Sequence, residues 1–123
     1  MRARWLIVPA LGLFIGATQA LPASAPETQS TQSAPAEFAK RSGCFECHSV
    51  DRKVTGPAYK DVADRYRNDD KARSALIETV KNGGKGHWTK ITGGVPMPPF
   101  SPRLTDAEIT RLVDWILNLK SDN

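Results

Sequence analysis

The sequence predicts an all-α fold of short helices joined by long loops. Apolar residues near the C-terminus recur every three or four positions, as in Ile109, Leu112, Val113 and Ile116, and this spacing is typical of one helix face. The alternation of apolar and polar residues that indicates strands is not found in the sequence. A length of 123 residues indicates one small domain.

The first twenty residues have the pattern of a secretory signal peptide. Arg2 and Arg4 precede a short apolar run from Trp5 to Ile15, and small residues follow it. The run is shorter than the roughly 20 apolar residues that a transmembrane helix needs. We therefore expect residues 1–20 to be removed after Ala20. An uncleaved membrane anchor is the alternative, because the same residues would serve either fate.

Residues 21–34 are rich in Ala, Pro, Ser, Thr and Gln and contain one charged residue, Glu27. They cannot bury an apolar face, so we predict a flexible tether there. The folded domain is expected over residues 35–123, because Pro35 suits the first turn of a helix. Phe38 should face inward on this helix, which is predicted to end at Ser42–Gly43.

Two further helices are predicted in the middle of the chain. The first follows the Gly56–Pro57 turn and extends from Tyr59 to Arg67. The second takes its N-cap from residues 68–70 and stops at residues 82–84, where glycine supplies a left-handed cap. Its apolar stripe consists of Ala72, Leu76, Ile77 and Val80.

The segment from Lys85 to Pro102 has no periodicity and is rich in glycine and proline. So long an irregular stretch inside a small domain is usually functional. The last helix follows it and has the clearest start signal. Thr105 and Glu108 have the spacing of a capping box, and Leu104 with Ile109 has that of a hydrophobic staple.

The run Cys44-Phe45-Glu46-Cys47-His48 contains the only two cysteines of the sequence. A C-x-x-C-H run indicates attachment of a c-type haem. Two thiols on one turn can reach the edge of the same macrocycle, and the histidine that follows can present its imidazole to the iron.

The same run could also form a redox-active dithiol or a zinc site. A thioredoxin-like dithiol needs a preceding strand, whereas the residues before Cys44 favour a helix. A structural zinc site needs four protein ligands, and Cys44, Cys47 and His48 would have to recruit His87, the only other histidine. The sequence favours haem over both.

An iron bound by His48 has a sixth position, for which Met97, His87 or no protein ligand are the candidates. Met97 is the only methionine once Met1 leaves with the signal peptide, and prolines lie on both sides of it. Such a rigid loop suits a weak sulfur ligand better than a filler of the core. Because Met/His ligation is an established haem arrangement, Met97 is the favoured ligand.

The net charge of the chain and its two cysteines are both consistent with an exported haem protein. Two cysteines in an oxidising compartment would tend to form a disulfide, and capture by haem explains why this pair can exist there. The formal charge is +4, and loss of Arg2 and Arg4 leaves 15 basic and 13 acidic residues. Two haem propionates would bring the charge near zero, so no nucleic-acid partner is expected.

From Phe38 to Lys120 the chain resembles the short, soluble bacterial class I cytochromes c. The matching pieces are the Cys44–His48 run, Gly56-Pro57-Ala58-Tyr59-Lys60, Lys81-Asn82-Gly83, Val95-Pro96-Met97-Pro98-Pro99 and Leu112-Val113-Asp114-Trp115-Ile116-Leu117. The resemblance implies four to five short helices around one covalently bound haem c. A departure is Phe100-Ser101, where the shortest members carry an asparagine near the sulfur.

The resemblance also implies the roles of six residues. Cys44 and Cys47 would form the thioether links, and His48 and Met97 would be the axial ligands of the iron. The carbonyl of Pro57 would accept a hydrogen bond from His48 and fix its imidazole. Trp88 would donate its indole N–H to a haem propionate, with core packing as the alternative. His87 would lie at the surface beside the propionates.

An iron with both axial positions filled by protein favours electron transfer over catalysis. We therefore expect a monomeric, periplasmic monohaem carrier, not an enzyme, without stable membrane insertion after cleavage. Its redox partners would be respiratory cytochromes and terminal reductases or oxidases. A dedicated electron-transfer subunit of a sulfite or thiosulfate dehydrogenase is the alternative, and an open-site sensor or enzyme is a third.

Six cations are candidates for a docking ring or an ordinary solvated surface: Lys53, Lys60, Lys81, Lys85, Lys90 and Arg103.

Overall fold

The computed structural model describes residues 30–120 of the chain, with side chains from residue 34 onwards. The predicted signal peptide, most of the predicted tether and the last three residues lie outside this range. The elements in chain order are α1 (Ser30–Arg41), a 3₁₀ turn (Cys44–Glu46), α2 (Tyr59–Arg65), α3 (Ala72–Asn82), α4 (Thr89–Thr92) and α5 (Asp106–Leu117). No strand occurs in the described part, so the predicted all-α class with four to five short helices is confirmed.

Helix α5 is the centre of the fold, because α1, α2 and α3 all pack against it. Ile109, Leu112, Val113 and Ile116 are buried along one side, as the apolar spacing predicted. The predicted capping box is present. The backbone N–H of Glu108 donates to Thr105 Oγ1 at 3.3 Å, and the backbone N–H of Thr105 donates to Glu108 Oε2 at 2.9 Å.

Helix α1 begins at Ser30, five residues ahead of the predicted start at Pro35. Residues 30–34 belong to the predicted tether, because they lack an apolar face. Pro35 inside the helix removes one backbone hydrogen bond, and its neighbours Ala34 and Ala36 are the residue type that best favours a helix. The helix delivers Ala39, which is fully buried, to the core. The domain boundary itself stays a prediction.

Helices α2 and α3 differ from the prediction at their ends. Helix α2 ends at Arg65, two residues before Arg67. Helix α3 has Lys71 at its N-cap position with no side-chain cap, so the cap expected from residues 68–70 was wrong. The Asp69 carboxylate instead accepts a hydrogen bond from the backbone N–H of Lys71 at 2.9 Å. This bond spans two residues and forms a turn before the helix.

The irregular stretch before α5 is less irregular than predicted, because it contains the one-turn helix α4. Gly93 follows this turn with φ 63°, the left-handed conformation that glycine adopts easily. The same stretch is held to the end of α3 by an antiparallel bridge between Gly84 and Met97. The loop thereby forms one wall of a cavity that α2, α3 and α5 also line.

Candidate cofactor site

A cavity of about 350 Å³ lies between the 3₁₀ turn, the faces of α2, α3 and α5, and the loop around Met97. This volume is within the range of small-molecule and cofactor sites. Its apolar wall includes Val62, Leu76, Val80, Leu112, Val113 and Ile116. Cys44, Cys47, His48 and Met97 all line the same cavity. The fold therefore brings together two thiols, an imidazole and a thioether that are up to 53 positions apart in the sequence.

The two cysteines are presented by the 3₁₀ turn. Gly43 precedes it with φ 81°, which turns the chain out of α1, and the N–H groups of Cys47 and His48 both donate to the Cys44 carbonyl, at 3.3 and 3.0 Å. No disulfide joins the two cysteines, of which Cys44 is buried and Cys47 half-buried. Burial raises the pKa of the Cys44 thiol, and a hydrogen bond with Tyr59 opposes this shift.

His48 is fixed in one tautomer by the backbone. Its Nδ1 lies 2.8 Å from the Pro57 carbonyl oxygen, which can only accept, so Nδ1–H donates and Nε2 keeps its lone pair. Burial lowers the pKa of His48, with the hydrogen bond to Pro57 acting in the opposite direction. A neutral imidazole with a free Nε2 lone pair is the form that binds a metal. The contact with Pro57 that the resemblance implied is present.

Two residues that the sequence analysis did not assign to the site pack against this imidazole. A Cβ atom on Gly56 would lie 2.8 Å from His48 Nδ1 and 3.0 Å from Nε2, closer than real Cβ contacts come. Tyr59 stacks on the ring, with centroids 5.0 Å apart and planes 20° apart. We interpreted Gly56 as a turn former and Tyr59 as part of a helical stripe, because spacing carries no information about distance to His48.

The backbone of Met97 is clamped to the end of α3. Met97 N–H donates to the Gly84 carbonyl at 2.8 Å, and Gly84 N–H donates to the Met97 carbonyl at 2.9 Å. Gly83, with φ 70°, makes this approach possible, since a Cβ there would collide with the Met97 carbonyl oxygen and lie 2.8 Å from Pro99 N. Phe100 N–H adds a bond to the Val80 carbonyl at 3.0 Å. The proline-rich loop is therefore held on α3.

The structure separates the two candidates for a sixth ligand. Met97 is half-buried and lines the cavity, whereas His87 is exposed and does not line it. Trp88, next to His87, is half-buried and lines the cavity.

The six candidate docking cations have different surroundings. Lys85 and Arg103 line the cavity rim. Lys60 pairs with Asp51 at 2.6 Å, and Lys81 pairs with Asp106 at 3.0 Å. Lys53 and Lys90 are exposed. The described side chains therefore place two of the six cations directly at the cavity.

The alternatives for the C-x-x-C-H run receive no support between residues 30 and 120. No group of three or more His, Cys, Asp or Glu side chains in this range is placed to hold a metal ion. The element before Cys44 is helix α1 and not a strand. The donor set instead fits haem c, with thiols for covalent attachment and an apolar wall for a flat macrocycle.

An all-α domain with this donor set in one apolar cavity is typical of proteins that hold haem covalently. The chain belongs to the cytochrome c family: the family model described as cytochrome c matches residues 33–120. It is 49% identical over 82 residues to cytochrome c-551 of Allochromatium vinosum, covering 67% of this chain and 82% of that one.

Solved structures agree with this membership. The crystal structure of cytochrome c552 of Nitrosomonas europaea matches with a TM-score of 0.61 at 44% identity, covering 69% of this chain and 99% of that chain. A class 1 cytochrome of Sideroxydans lithotrophicus matches with a TM-score of 0.59 at 33% identity, covering 72% and 96%.

Membership in this family establishes the cofactor and the broad activity. The chain binds one haem c covalently through its two cysteines, and it is an electron-transfer protein and not an enzyme. Like its relatives it is a small cytochrome c that exchanges electrons with redox partners. Within residues 30–120, no helix combines the length and apolar character needed to cross a membrane.

Proposed function

We propose that this chain is a monomeric, periplasmic monohaem cytochrome that carries single electrons between respiratory redox partners, with His48 and Met97 as axial ligands. The observation that supports it most is the arrangement of these two residues. One cavity is lined by the His48 imidazole, with its Nε2 lone pair available, and by Met97, whose backbone N–H and carbonyl are both hydrogen-bonded to Gly84. Haem bound there supplies reversible one-electron chemistry.

Each protein group has a role that follows from its surroundings. Cys44 and Cys47 hold the cofactor in place, and Pro57 orients His48 by accepting its Nδ1–H. The clamp at Gly84 keeps Met97 in the cavity against competition from water. Trp88, in the cavity wall, would donate its indole N–H to a carboxylate of the bound haem. If His48 and Met97 both bind the iron of haem, no position would be left for a substrate, and the site would support electron transfer alone.

The location and the partners are proposed from the sequence and the rim charges. The pattern of residues 1–20 directs export, and attachment to haem protects the two thiols from pairing in an oxidising compartment. Lys85 and Arg103 at the rim would attract acidic surfaces of respiratory cytochromes and of terminal reductases or oxidases, an effect that weakens with salt.

Ligand replacement tests the role of Met97. The oxidised protein should show the weak sulfur-to-iron charge-transfer band and resist cyanide, and the reduced protein should resist carbon monoxide, which binds Fe(II) haem. Met97→Ala should abolish the band, open the iron to both ligands and lower the potential, because a neutral sulfur favours Fe(II). His87→Ala is the matched control and should leave all three properties unchanged. A closed site that is lost in His87→Ala, or a wild-type protein that binds carbon monoxide readily, would contradict the proposal.

Intact mass tests the proposed export. The protein isolated from the periplasm should have the mass of a chain that begins at or near Leu21 plus one haem. A full-length product that fractionates with the membrane would contradict the proposed location, while leaving the haem ligands as proposed.

A further inference from the structure

We propose that Arg65, at the end of α2, is a positioning residue that holds Trp88 in the wall of the cofactor cavity. The Arg65 guanidinium lies over the Trp88 ring, 5.2 Å from its centroid, and over the Tyr66 ring at 5.8 Å. Tyr66 meets Trp88 edge-on, with centroids 6.5 Å apart and planes at 72°. This inference rests on the proposed function, in which Trp88 donates to a carboxylate of the cofactor.

The backbone around Trp88 is held by hydrogen bonds, but these do not fix the orientation of its indole ring. Trp88 lies at the start of the one-turn helix α4, and its carbonyl accepts from the N–H groups of Ile91 and Thr92 at 2.8 and 2.9 Å. The glycines on both sides, Gly84, Gly86, Gly93 and Gly94, all have positive φ. For Gly84, Gly93 and Gly94, a Cβ would meet nothing within 4 Å. The space beside these three glycines is therefore open, and no atom within 4 Å of it would hold a side chain of this segment in place.

The stack of Arg65, Tyr66 and Trp88 constrains the indole ring itself. The Trp88 ring lines the cavity and also contacts Arg65, the last residue of α2, and Tyr66, which follows it. A guanidinium over an indole is a favourable cation–π contact. Since α2 is itself packed on α5, the stack links the position of Trp88 to the rigid centre of the fold.

The consequence for the cofactor is electrostatic. An indole N–H held at a carboxylate offsets part of its negative charge, and a negative charge near the iron favours Fe(III). Loss of Arg65 would let Trp88 move away from that carboxylate and would lower the reduction potential. It would also remove one exposed positive charge. The experiment must therefore separate positioning from charge.

The test uses holoprotein with Arg65→Gln, and Arg67→Gln as the matched control. Arg67 is exposed, two residues further on, and pairs with Asp64 rather than with Trp88. The measurements are the midpoint potential and the Trp88 indole N–H resonance, assigned by its absence in Trp88→Phe. The macrocycle moves this resonance by its ring current whatever the sixth ligand is. The same two substitutions are then repeated in the Trp88→Phe background.

We expect Arg65→Gln to move the Trp88 resonance and to lower the potential more than Arg67→Gln does. At least half of the Arg65→Gln shift should disappear in the Trp88→Phe background, which keeps the charge change but lacks the N–H. A potential shift no larger than that of Arg67→Gln, an unmoved resonance, or a shift that persists by more than half in Trp88→Phe would overturn the positioning role. Failure of the proposed function is seen separately, as a wild-type spectrum without the sulfur-to-iron band.

Discussion

At the scale of single residues, close packing around His48 determines what the site tolerates. Gly56 does not have a positive φ, so its backbone could accept any residue. What excludes a side chain there is the His48 ring, whose Nδ1 lies 2.8 Å from where a Cβ would be and whose Cε1 lies closer still. The carbonyl of the next residue, Pro57, accepts the proton of the same ring. The Gly-Pro pair therefore makes room for the imidazole and also orients it.

We expect Gly56→Ala to push the His48 ring out of place. Overpacking of this kind costs about 1–3 kcal/mol, and it should also weaken the bond from His48 to iron. Thermal unfolding and the absorption spectrum of the holoprotein measure the two effects. Gly93→Ala is the control, because a Cβ there meets nothing and only the positive φ of 63° opposes it. A spectrum altered as much in Gly93→Ala as in Gly56→Ala would contradict the packing argument.

The sequence predicted the chemical groups of the site and not their packing. Cys44, Cys47 and His48 were found from their spacing, and Met97 from its position among prolines. The roles of Gly56, Gly83 and Tyr59 were missed, since each depends on a distance between segments that the spacing of residues does not encode. Pro57 was reached only through the family resemblance. The ligand assignments themselves stay predictions until the iron is observed.

At the scale of elements, α5 is specified most completely by its own residues. Its capping box satisfies two backbone N–H groups, and the Glu108 carboxylate accepts from the N–H and the hydroxyl of Thr105, at 2.9 and 2.8 Å. These hydrogen bonds lower the pKa of Glu108 from its ordinary value of 4.5. The carboxylate is therefore the favoured form in the folded protein, and folding stability is linked to its ionisation.

The pH dependence of this link has a definite sign. Because the pKa of Glu108 is lower in the folded chain, its contribution is fully present above the unfolded pKa and is lost as the pH falls through the folded pKa. Glu108→Gln keeps a side chain that can cap but does not ionise. The difference in melting temperature between wild type and Glu108→Gln should therefore be larger at pH 7 than at pH 3.

A control separates this effect from general loss of charge. Glu37→Gln removes an exposed carboxylate of α1 that is outside the capping box. Its difference from wild type should change less between pH 7 and pH 3 than that of Glu108→Gln. Equal changes in the two variants would show that net charge, and not the capping box, sets the acid sensitivity.

The other elements were predicted less well, for reasons that differ between them. The start of α1 was missed because residues 30–34 have no apolar face, although a helix continues through them. The cap of α3 was misplaced because the Asp69 side chain bonds to the backbone in a turn. Helix α4 is a single turn between glycines, too short for periodicity to reveal. Local patterns identify long amphipathic helices and fail where hydrogen bonds specific to a turn determine the ends.

At the scale of the whole molecule, the helices pack around the cofactor cavity as well as on one another. Side chains from α2, α3 and α5, together with the loop around Met97, line the same cavity. A domain of roughly 90 residues buries only about 60–65% of the surface of its chain, so its stability is marginal without added constraints. A covalently held, apolar macrocycle supplies the missing packing partner for four segments at once.

The last prediction follows from this dependence on the cofactor. The double substitution Cys44→Ser with Cys47→Ser removes both attachment points and replaces only two sulfur atoms by oxygen. We expect no haem to stay with the chain on a denaturing gel, because the sequence has no other thiol. Without covalently held haem, the helical circular dichroism signal and the melting temperature should both fall well below those of the wild-type holoprotein, since the cavity walls lose their common contact.

Glu46→Gln is the matched control, because this exposed residue lies between the two cysteines and has no part in attachment. It should retain covalent haem and wild-type helicity. Haem that survives denaturation in the double variant would contradict attachment through Cys44 and Cys47. A double variant that is free of haem but as helical and as thermally stable as the holoprotein would leave attachment intact. It would show instead that α5 and its three partner helices form a sufficient core by themselves.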